Sequence, residues 1–209
     1  MITIVDYGMG NLHSVSKAIE RLGHAYQVTE DAEIIRQAEK VILPGVGAFG
    51  DAIAQLRRTG LDQVMRELVE RETPLLGICL GMQLLFTSSE EGGHHEGLNL
   101  LEGHVQRFSG QDAQGQRYKV PHMGWNRLEH LKKGHPILAN IDQGYTYFVH
   151  SYYVAEMKEE ARIAEAIYGD TRVPGVVGTE RLLGMQFHPE KSGPTGMKLL
   201  RNFIENIDA

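Results

Sequence analysis

The sequence predicts an α/β fold, in which helices flank a mostly parallel, doubly wound sheet and antiparallel strands extend it. In the first half of the chain, short apolar strands alternate with helical patterns, as expected for a parallel sheet. The second half shows strand after strand with little helix between them, which indicates an antiparallel extension. With 209 residues and 42% hydrophobic content, we expect a single domain spanning residues 1–209 with a sizeable core.

The elements of the first half follow one another in a regular order. Residues 2–6 form a short apolar strand, and apolar residues then recur at helical spacing until Gly23. Further strands are predicted at 25–29 and 41–43. Helical patterns follow through residues 53–69, and the next apolar strand ends at Cys79.

The second half is predicted to contain five strands and one helix. The segments with strand character are 103–108, 146–154, 162–167, 175–179 and 183–188. A last amphipathic helix carries its apolar residues between Met197 and Ile207. Ligands of open α/β sheets gather at the carboxyl ends of the strands, so Cys79 and the glycine-rich loop after residue 43 are expected at the functional edge.

Composition limits the possible functions. The net charge of −6 and the pI near 5.9 give no basic surface for nucleic acid. One cysteine excludes an internal disulfide and fits a reducing cytosol. The sequence shows neither a secretory signal nor the run of about 20 apolar residues that crosses a bilayer. We therefore expect a soluble, cytoplasmic protein without membrane contact.

Cys79 is the strongest candidate for a catalytic residue. It lies in a Gly77-x-Cys79-x-Gly81 corner between an apolar strand and a helical segment. This is the cysteine counterpart of the Gly-x-Ser-x-Gly elbow, which exposes a nucleophile at the end of a strand. A thiol at a helix N-terminus is favoured as the thiolate, the form that attacks. A buried structural cysteine is the alternative.

His188 is the best candidate for the base that such a thiol needs. It closes an apolar strand, Pro189 then ends the strand pairing because it lacks an N–H, and Glu190 follows. In extended backbone, residues i and i+2 project to the same side. Glu190 can therefore orient the imidazole, and together with Cys79 the pair predicts a catalytic triad.

A nucleotide site and a metal site are both disfavoured. Gly45-x-Gly47-x-x-Gly50 matches the dinucleotide pattern, but the next strand ends in Cys79 rather than in the carboxylate that would hold a ribose. His94-His95 lacks the spacing of metal ligands. We expect no cofactor and no metal, and the glycine loop instead suits donation of a backbone N–H to an oxyanion.

These motifs resemble the class I, triad-type glutamine amidotransferases, which implies the flavodoxin-like fold of that family. Four further blocks resemble the branch that supplies ammonia for histidine biosynthesis, at residues 6–11, 44–49, 121–126 and 150–152. The resemblance implies that Cys79 attacks the side-chain amide of L-glutamine and that His188, held by Glu190, moves the protons. It also implies an oxyanion hole from the N–H groups of Val46 and Leu80. The residues implied to contact glutamine are Gly47, Gln83, Glu91, Ser151 and Tyr152.

The resemblance further implies a protein partner. In this branch, ammonia passes through a channel into a (β/α)₈-barrel cyclase subunit, with which the glutaminase forms a heterodimer. The residues implied to lie at that interface are Asn11, Met123, Trp125, Asn126 and Lys191. Trp125 is the only tryptophan, and large aromatic residues are favoured in interface cores.

Three other functions remain open from the sequence. The chain could be the glutaminase subunit for anthranilate, aminodeoxychorismate, GMP, carbamoyl phosphate or pyridoxal phosphate synthesis. It could be a γ-glutamyl hydrolase or a cysteine peptidase, which needs no ammonia acceptor. It could also be a silent regulatory subunit, although binding alone does not need a nucleophile.

Overall fold

The computed structural model describes residues 1–208 and contains three sheets and six α-helices within that range. The strands are β1 (Ile2–Val5), β2 (Tyr26–Thr29), β3 (Lys40–Leu43), β4 (Leu75–Ile78), β5 (Phe86–Ser89), β6 (His95–Glu96), β7 (Leu101–Arg107), β8 (His122–Arg127), β9 (Glu129–His130), β10 (Tyr145–His150), β11 (Tyr152–Ala155), β12 (Arg162–Tyr168), β13 (Thr171–Gly178) and β14 (Leu182–Met185).

The helices connect the strands of the first half and close the chain. They are α1 (Leu12–Arg21), α2 (Ala32–Arg36), α3 (Phe49–Thr59), α4 (Leu61–Glu70), α5 (Leu80–Leu84) and α6 (Gly193–Asn206), with short 3₁₀ turns at Pro136–Leu138, Glu159–Ala161 and Pro189–Lys191. Across residues 1–208, none of these helices combines the length and the apolar character needed to span a bilayer.

The largest sheet has eight strands in the order β2-β1-β3-β4-β14-β13-β12-β9. Its first five strands are parallel neighbours, and the pairings from β14 to β9 are antiparallel. The mostly parallel sheet with an antiparallel extension is thereby confirmed. β8 pairs with β10 as a separate two-stranded ribbon, and β11-β7-β5-β6 form a small third sheet.

The core lies on both faces of the large sheet. Ile42 packs in one apolar cluster with residues of α1 and α6, whereas its neighbours Val41 and Leu43 pack in the other cluster with residues of α3 and α4. Successive residues of a strand point to opposite faces, so strands covered on both sides are apolar throughout. This explains why the parallel strands read as continuous apolar runs.

Two predicted elements are divided in the structure, and a third is placed differently. The predicted strand at 146–154 is interrupted at Ser151, since β10 pairs with β8 and β11 pairs with β7. The helical pattern at 53–69 becomes α3 and α4, because Gly60 between them has a φ of +71°. β14 runs parallel to β4, although the pattern indicated an antiparallel context, and ends at Met185 opposite Ile78, where β4 also ends.

Candidate active site

Cys79 occupies a strained backbone position between β4 and α5. Its φ of +55° and ψ of −112° are unusual for a residue with a side chain. The Cys79 N–H donates a 2.8 Å hydrogen bond to the carbonyl of Met185, which ties the corner to the end of β14. The predicted elbow is therefore formed, and the neighbouring strand helps to hold it.

Glycines around the corner allow three backbone segments to approach one another. A Cβ added to Gly81 would lie 1.9 Å from the carbonyl oxygen of Leu43, and one added to Gly77 would lie 2.6 Å from the carbonyl oxygen of Gly81. A Cβ on Gly45 would lie 2.6 Å from the Gly81 nitrogen. These positions need glycine because backbone atoms fill the space of a side chain.

His188 and Glu190 form a buried pair just beyond β14, which ends at Met185, and Glu190 lies in the 3₁₀ turn Pro189–Lys191 rather than in the extended backbone that was predicted. His188 Nδ1 lies 2.9 Å from Glu190 Oε1, with side-chain exposures of 5% and 1%. Burial alone lowers the pKa of His188, but hydrogen bonding to Cys79 and Glu190 outweighs it and raises the pKa to about 10. The side chain is therefore a strong proton acceptor whose second ring nitrogen remains for Cys79.

One cleft of about 410 Å³ brings most of the candidate residues together. Its lining residues are Val46, Gly47, Cys79, Leu80, Gln83, Glu91, Val149, His150, Ser151, Tyr152, His188 and Lys191. Every residue predicted for the oxyanion hole and for glutamine contact is among them. Glu190 lies behind His188, and Val149 and His150 are additions that the sequence reasoning missed.

The loop before α3 contains Val46, which the sequence predicted for an oxyanion hole together with Leu80. Gly47 has a φ of +108°, and Val46 is exposed to the cleft. On the other side, the N–H of Leu80 has no hydrogen-bond acceptor within residues 1–208. The N–H of Leu80 is therefore available to an atom bound in the cleft, which Val46 also lines.

Tyr7 supports the glycine loop from outside the cleft, and sequence reasoning did not single it out. Its buried hydroxyl donates a 2.8 Å hydrogen bond to the carbonyl of Pro44, at the base of the glycine loop. Burial raises the pKa of Tyr7, and the charge of neighbouring Cys79 raises it further. Its position directly after a buried strand and an aspartate was the available signal.

Gln83 and Glu91 have protein partners as well as a place in the cleft. Gln83 Nε2 donates to the Tyr152 carbonyl at 2.9 Å and to Gln186 Oε1 at 3.0 Å, and Gln83 Oε1 has no donor within residues 1–208. Glu91 Oε2 accepts the N–H of Phe49 at 2.9 Å, at the start of α3. One oxygen of Glu91 is thus used to stabilise a helix N-terminus.

The residues predicted for a partner interface differ in what they contact. Met123 and Trp125 alternate on β8 and are 60% and 54% exposed. Asn11 Oδ1 caps α1 by accepting the N–H of Ser14 at 3.4 Å. Asn126 points inward, with Oδ1 2.7 Å from His122 Nε2, and Lys191 lines the cleft.

The sequence matches one protein family over residues 3–207. The family profile "Glutamine amidotransferase class-I" matches residues 3–207. The chain is 54% identical over 208 residues to "Imidazole glycerol phosphate synthase subunit HisH" of Geobacillus sp. (strain WCH70), covering 100% of this chain and 98% of that protein. The chain belongs to the class I glutamine amidotransferases, in their HisH branch. The HisH protein of Bacillus subtilis (strain 168) is likewise 54% identical, over 98% of this chain and 96% of its own length.

Two solved structures of low sequence identity share the fold. A structure described as "Crystal structure of glutamine amidotransferase" superposes with a TM-score of 0.74 at 23% identity, covering 98% of each chain. The structure of PurLQS from Thermotoga maritima gives a TM-score of 0.73 at 18% identity, with 99% of this chain and 98% of that chain covered. The expected amidotransferase fold and the resemblance to the histidine-biosynthesis branch are both confirmed.

Proposed function

We propose that this chain is the glutaminase subunit of a two-protein imidazole glycerol phosphate synthase and that it acts in the cytoplasm as one glutamine amidotransferase domain. It hydrolyses L-glutamine to glutamate and ammonia through Cys79, His188 and Glu190. The observation that carries the proposal is the buried His188–Glu190 pair, with its 2.9 Å contact, beside a cysteine on a strained elbow. The match to the class I glutamine amidotransferase profile supports glutamine as the substrate, and the similarity to HisH proteins supports the synthase.

The chemistry follows from the positions of the side chains. Because its pKa is about 10, His188 already holds the thiol proton when the Cys79 sulfur bonds to the side-chain carbonyl carbon of glutamine. The N–H groups of Leu80 and Val46 donate to the oxyanion that forms. When the tetrahedral intermediate collapses, the C–N bond breaks and His188 returns its proton to the departing ammonia. Water activated by His188 then hydrolyses the glutamyl thioester.

Glutamine would be held by the walls of the same cleft. Gln83 Oε1 and the free oxygen of Glu91 suit its ammonium group, and Gly47, Ser151 and Tyr152 complete the contact surface. Hydrogen bonds to a charged ligand are among the stronger ones. Neither a metal nor a cofactor enters this reaction.

Ammonia released in water would be protonated and lost, so the proposal includes a partner that receives it. The partner is a (β/α)₈-barrel cyclase, which combines ammonia with N′-phosphoribulosyl-formimino-aminoimidazole-carboxamide ribotide. The products are imidazole glycerol phosphate and aminoimidazole-carboxamide ribotide. Exposed Met123 and Trp125, on the ribbon whose Val149 lines the cleft, supply an apolar surface for docking.

Glutaminase assays of the purified chain, alone and with the cyclase and its ligand, test this proposal. We expect very slow hydrolysis by the chain alone and a large acceleration by the liganded partner. Cys79→Ala should abolish that activity while synthesis by the complex from added ammonium salt continues. Full activity without a partner, cleavage of peptides, or loss of the ammonia-dependent reaction in the variant would contradict the assignment.

A further inference from the structure

A chain of four hydrogen-bond contacts connects the cleft with the inner side of β8. His150 Nδ1 lies 2.7 Å from the carbonyl oxygen of Tyr152, and His150 Nε2 lies 2.9 Å from His122 Nδ1. His122 Nε2 is 2.7 Å from Asn126 Oδ1, and Asn126 Nδ2 donates to the carbonyl of Ile167 at 3.1 Å. Neither histidine has a role in the proposed chemistry.

Both ends of this series of hydrogen-bond contacts are acceptors, and this limits which ring tautomers can satisfy the four contacts. Both ends are carbonyl oxygens, which only accept. A neutral imidazole offers one donor and one acceptor, and so does an amide with one contact on each side. The four contacts need four donors, whereas two neutral rings and one amide supply three. One contact therefore has two acceptors facing each other, whichever way the amide points.

The contact without a donor lies at the Asn126 end of the series. His122 and His150 are only 0% and 7% exposed, whereas Asn126 lies closer to solvent. An unmet polar contact costs more where it is buried than where water can reach it. Burial also lowers the pKa of His122, and it lowers that of His150 to about 3, so an extra proton does not fill the gap at neutral pH.

Aromatic packing keeps the His122 ring in this arrangement. The ring stacks against Phe148 at a centroid distance of 4.8 Å and against Tyr168 at 3.9 Å, with interplanar angles of 16° and 17°. His150 packs against the edge of Phe108, with centroids 5.2 Å apart. Rings confined in this way cannot rotate to avoid the contact between two acceptors. Only the position of the proton on each ring can change.

We propose that His150, supported by His122, is a positioning residue for the glutamine pocket and that both rings are Nδ1–H tautomers. In this state His122 donates to His150, and His150 donates to the Tyr152 carbonyl. That carbonyl also accepts Gln83 Nε2–H at 2.9 Å, so His150 fixes the atom that orients Gln83 towards the substrate. The inference rests on the proposed glutaminase function.

Three substitutions at position 150 separate a positioning role from a merely structural one. His150→Asn keeps an N–H near the Nδ1 position, whereas His150→Gln places its amide near the Nε2 position and His150→Ala has neither. With the cyclase present, we expect the KM for glutamine to rise about tenfold in the Gln and Ala variants, the cost of one directed hydrogen bond. The Asn variant should stay within about threefold of the unsubstituted protein, and kcat should change little in all three.

Ammonia-dependent synthesis by the same complexes is the control for folding and assembly and should be unchanged. Equal KM values in the Asn and Gln variants, or a loss confined to kcat, would overturn the proposal. Ring ¹⁵N NMR of the full chain gives an answer without any variant: protonated Nδ1 in both histidines is expected, and a protonated His150 Nε2 would refute it. An unsubstituted complex without glutaminase activity would instead refute the proposed function, and the NMR result would still stand.

Discussion

The elbow at Cys79 and the ribbon of β8 and β10 border the same cleft but are held in different ways. At the elbow, backbone packs on backbone, and the position of a Cβ on Gly81 is occupied by the Leu43 carbonyl. In the ribbon, side chains alternate between an aromatic interior around His122 and an exposed outer face with Trp125. Steric packing thus places Cys79, while hydrogen bonds and stacking place the wall of the cleft that contains His150.

This difference predicts how each region responds to substitution. Where backbone packs on backbone, an added side chain has no space and forces the strands apart. Hydrogen bonds can be removed one at a time, each with a modest cost. Changes at the elbow should therefore be severe, and changes in the ribbon should be graded.

Gly81→Ala should have the largest effect. Its Cβ would lie 1.9 Å from the Leu43 carbonyl oxygen, so β3 and α5 must separate. We expect a loss of more than about 4 kcal/mol in the free energy of unfolding, measured by urea denaturation. Gly134→Ala is the matched control, since a Cβ there meets no atom within 4 Å and should change stability little. Equal free energies of unfolding for the two variants would contradict the idea that steric packing holds the elbow.

Glu190→Gln tests the chemistry at the elbow without changing its shape. The amide cannot hold the imidazolium of His188 as the carboxylate does, so the pKa of His188 should fall. We expect kcat for partner-stimulated glutamine hydrolysis to drop by about 10³- to 10⁴-fold. Exposed Glu180→Gln should have no effect. A kcat within tenfold of the unsubstituted protein would exclude Glu190 from the triad.

The same variant should also alter how stability depends on pH. The folded-state pKa of His188, about 10, lies above the ordinary value of 6.5. The bound proton therefore stabilises the folded protein fully below pH 6.5, and this contribution is lost as the pH rises through about 10. Urea denaturation should show a smaller decrease over this range for Glu190→Gln, and parallel profiles would count against the pairing.

Trp125→Ala examines the outer face of the ribbon. The side chain is 54% exposed, so its removal should change the free energy of unfolding by no more than about 0.5 kcal/mol. Affinity for the cyclase should fall by about 2 kcal/mol, or roughly 30-fold, in a calorimetric titration. Ile34→Ala removes a 41%-exposed apolar side chain from α2 and should leave the affinity unchanged. Equal affinities would remove Trp125 from the interface.

Tyr7→Phe should have the smallest effect, and it sharpens the comparison because it removes a hydrogen bond from the elbow side. The Pro44 carbonyl loses its donor, which should cost about 1 kcal/mol in unfolding free energy. We expect kcat to fall about tenfold, since the glycine loop becomes less well fixed. Tyr26→Phe is the control, because Tyr26 on β2 pairs with Ile2 at the start of β1, whereas Tyr7 follows the end of that strand. An unchanged kcat would show that sterics alone hold the loop.

The sequence predicted the cleft better than it predicted the interactions behind it. Cys79, His188 and Glu190 are recognisable because a corner and an i, i+2 pair are local patterns. Tyr7 and the His122–His150 pair were not recognised as site residues, since their roles arise only when distant segments meet. His150 ends an apolar strand directly before Ser151 and Tyr152, but that signal alone does not distinguish it from other histidines.

The assignment of strands to sheets was the part of the fold that the sequence predicted least well. The parallel core was predicted because strands buried on both faces give continuous apolar runs. Short strands such as β5 and β9 were not predicted, because their few residues carry no clear period. The break at Ser151 was also missed, since strand character continues across it while the pairing partner changes from β8 to β7.

The position of β14 between β4 and β13 has a consequence for the growing polypeptide. As the chain leaves the ribosome, the thiol of Cys79 appears long before His188, and β4 has an open edge until β14 inserts beside it. If the proposed triad is correct, the nascent protein lacks its base until His188 has been synthesised. The order of synthesis then delays glutamine hydrolysis until β14 and His188 can join the sheet.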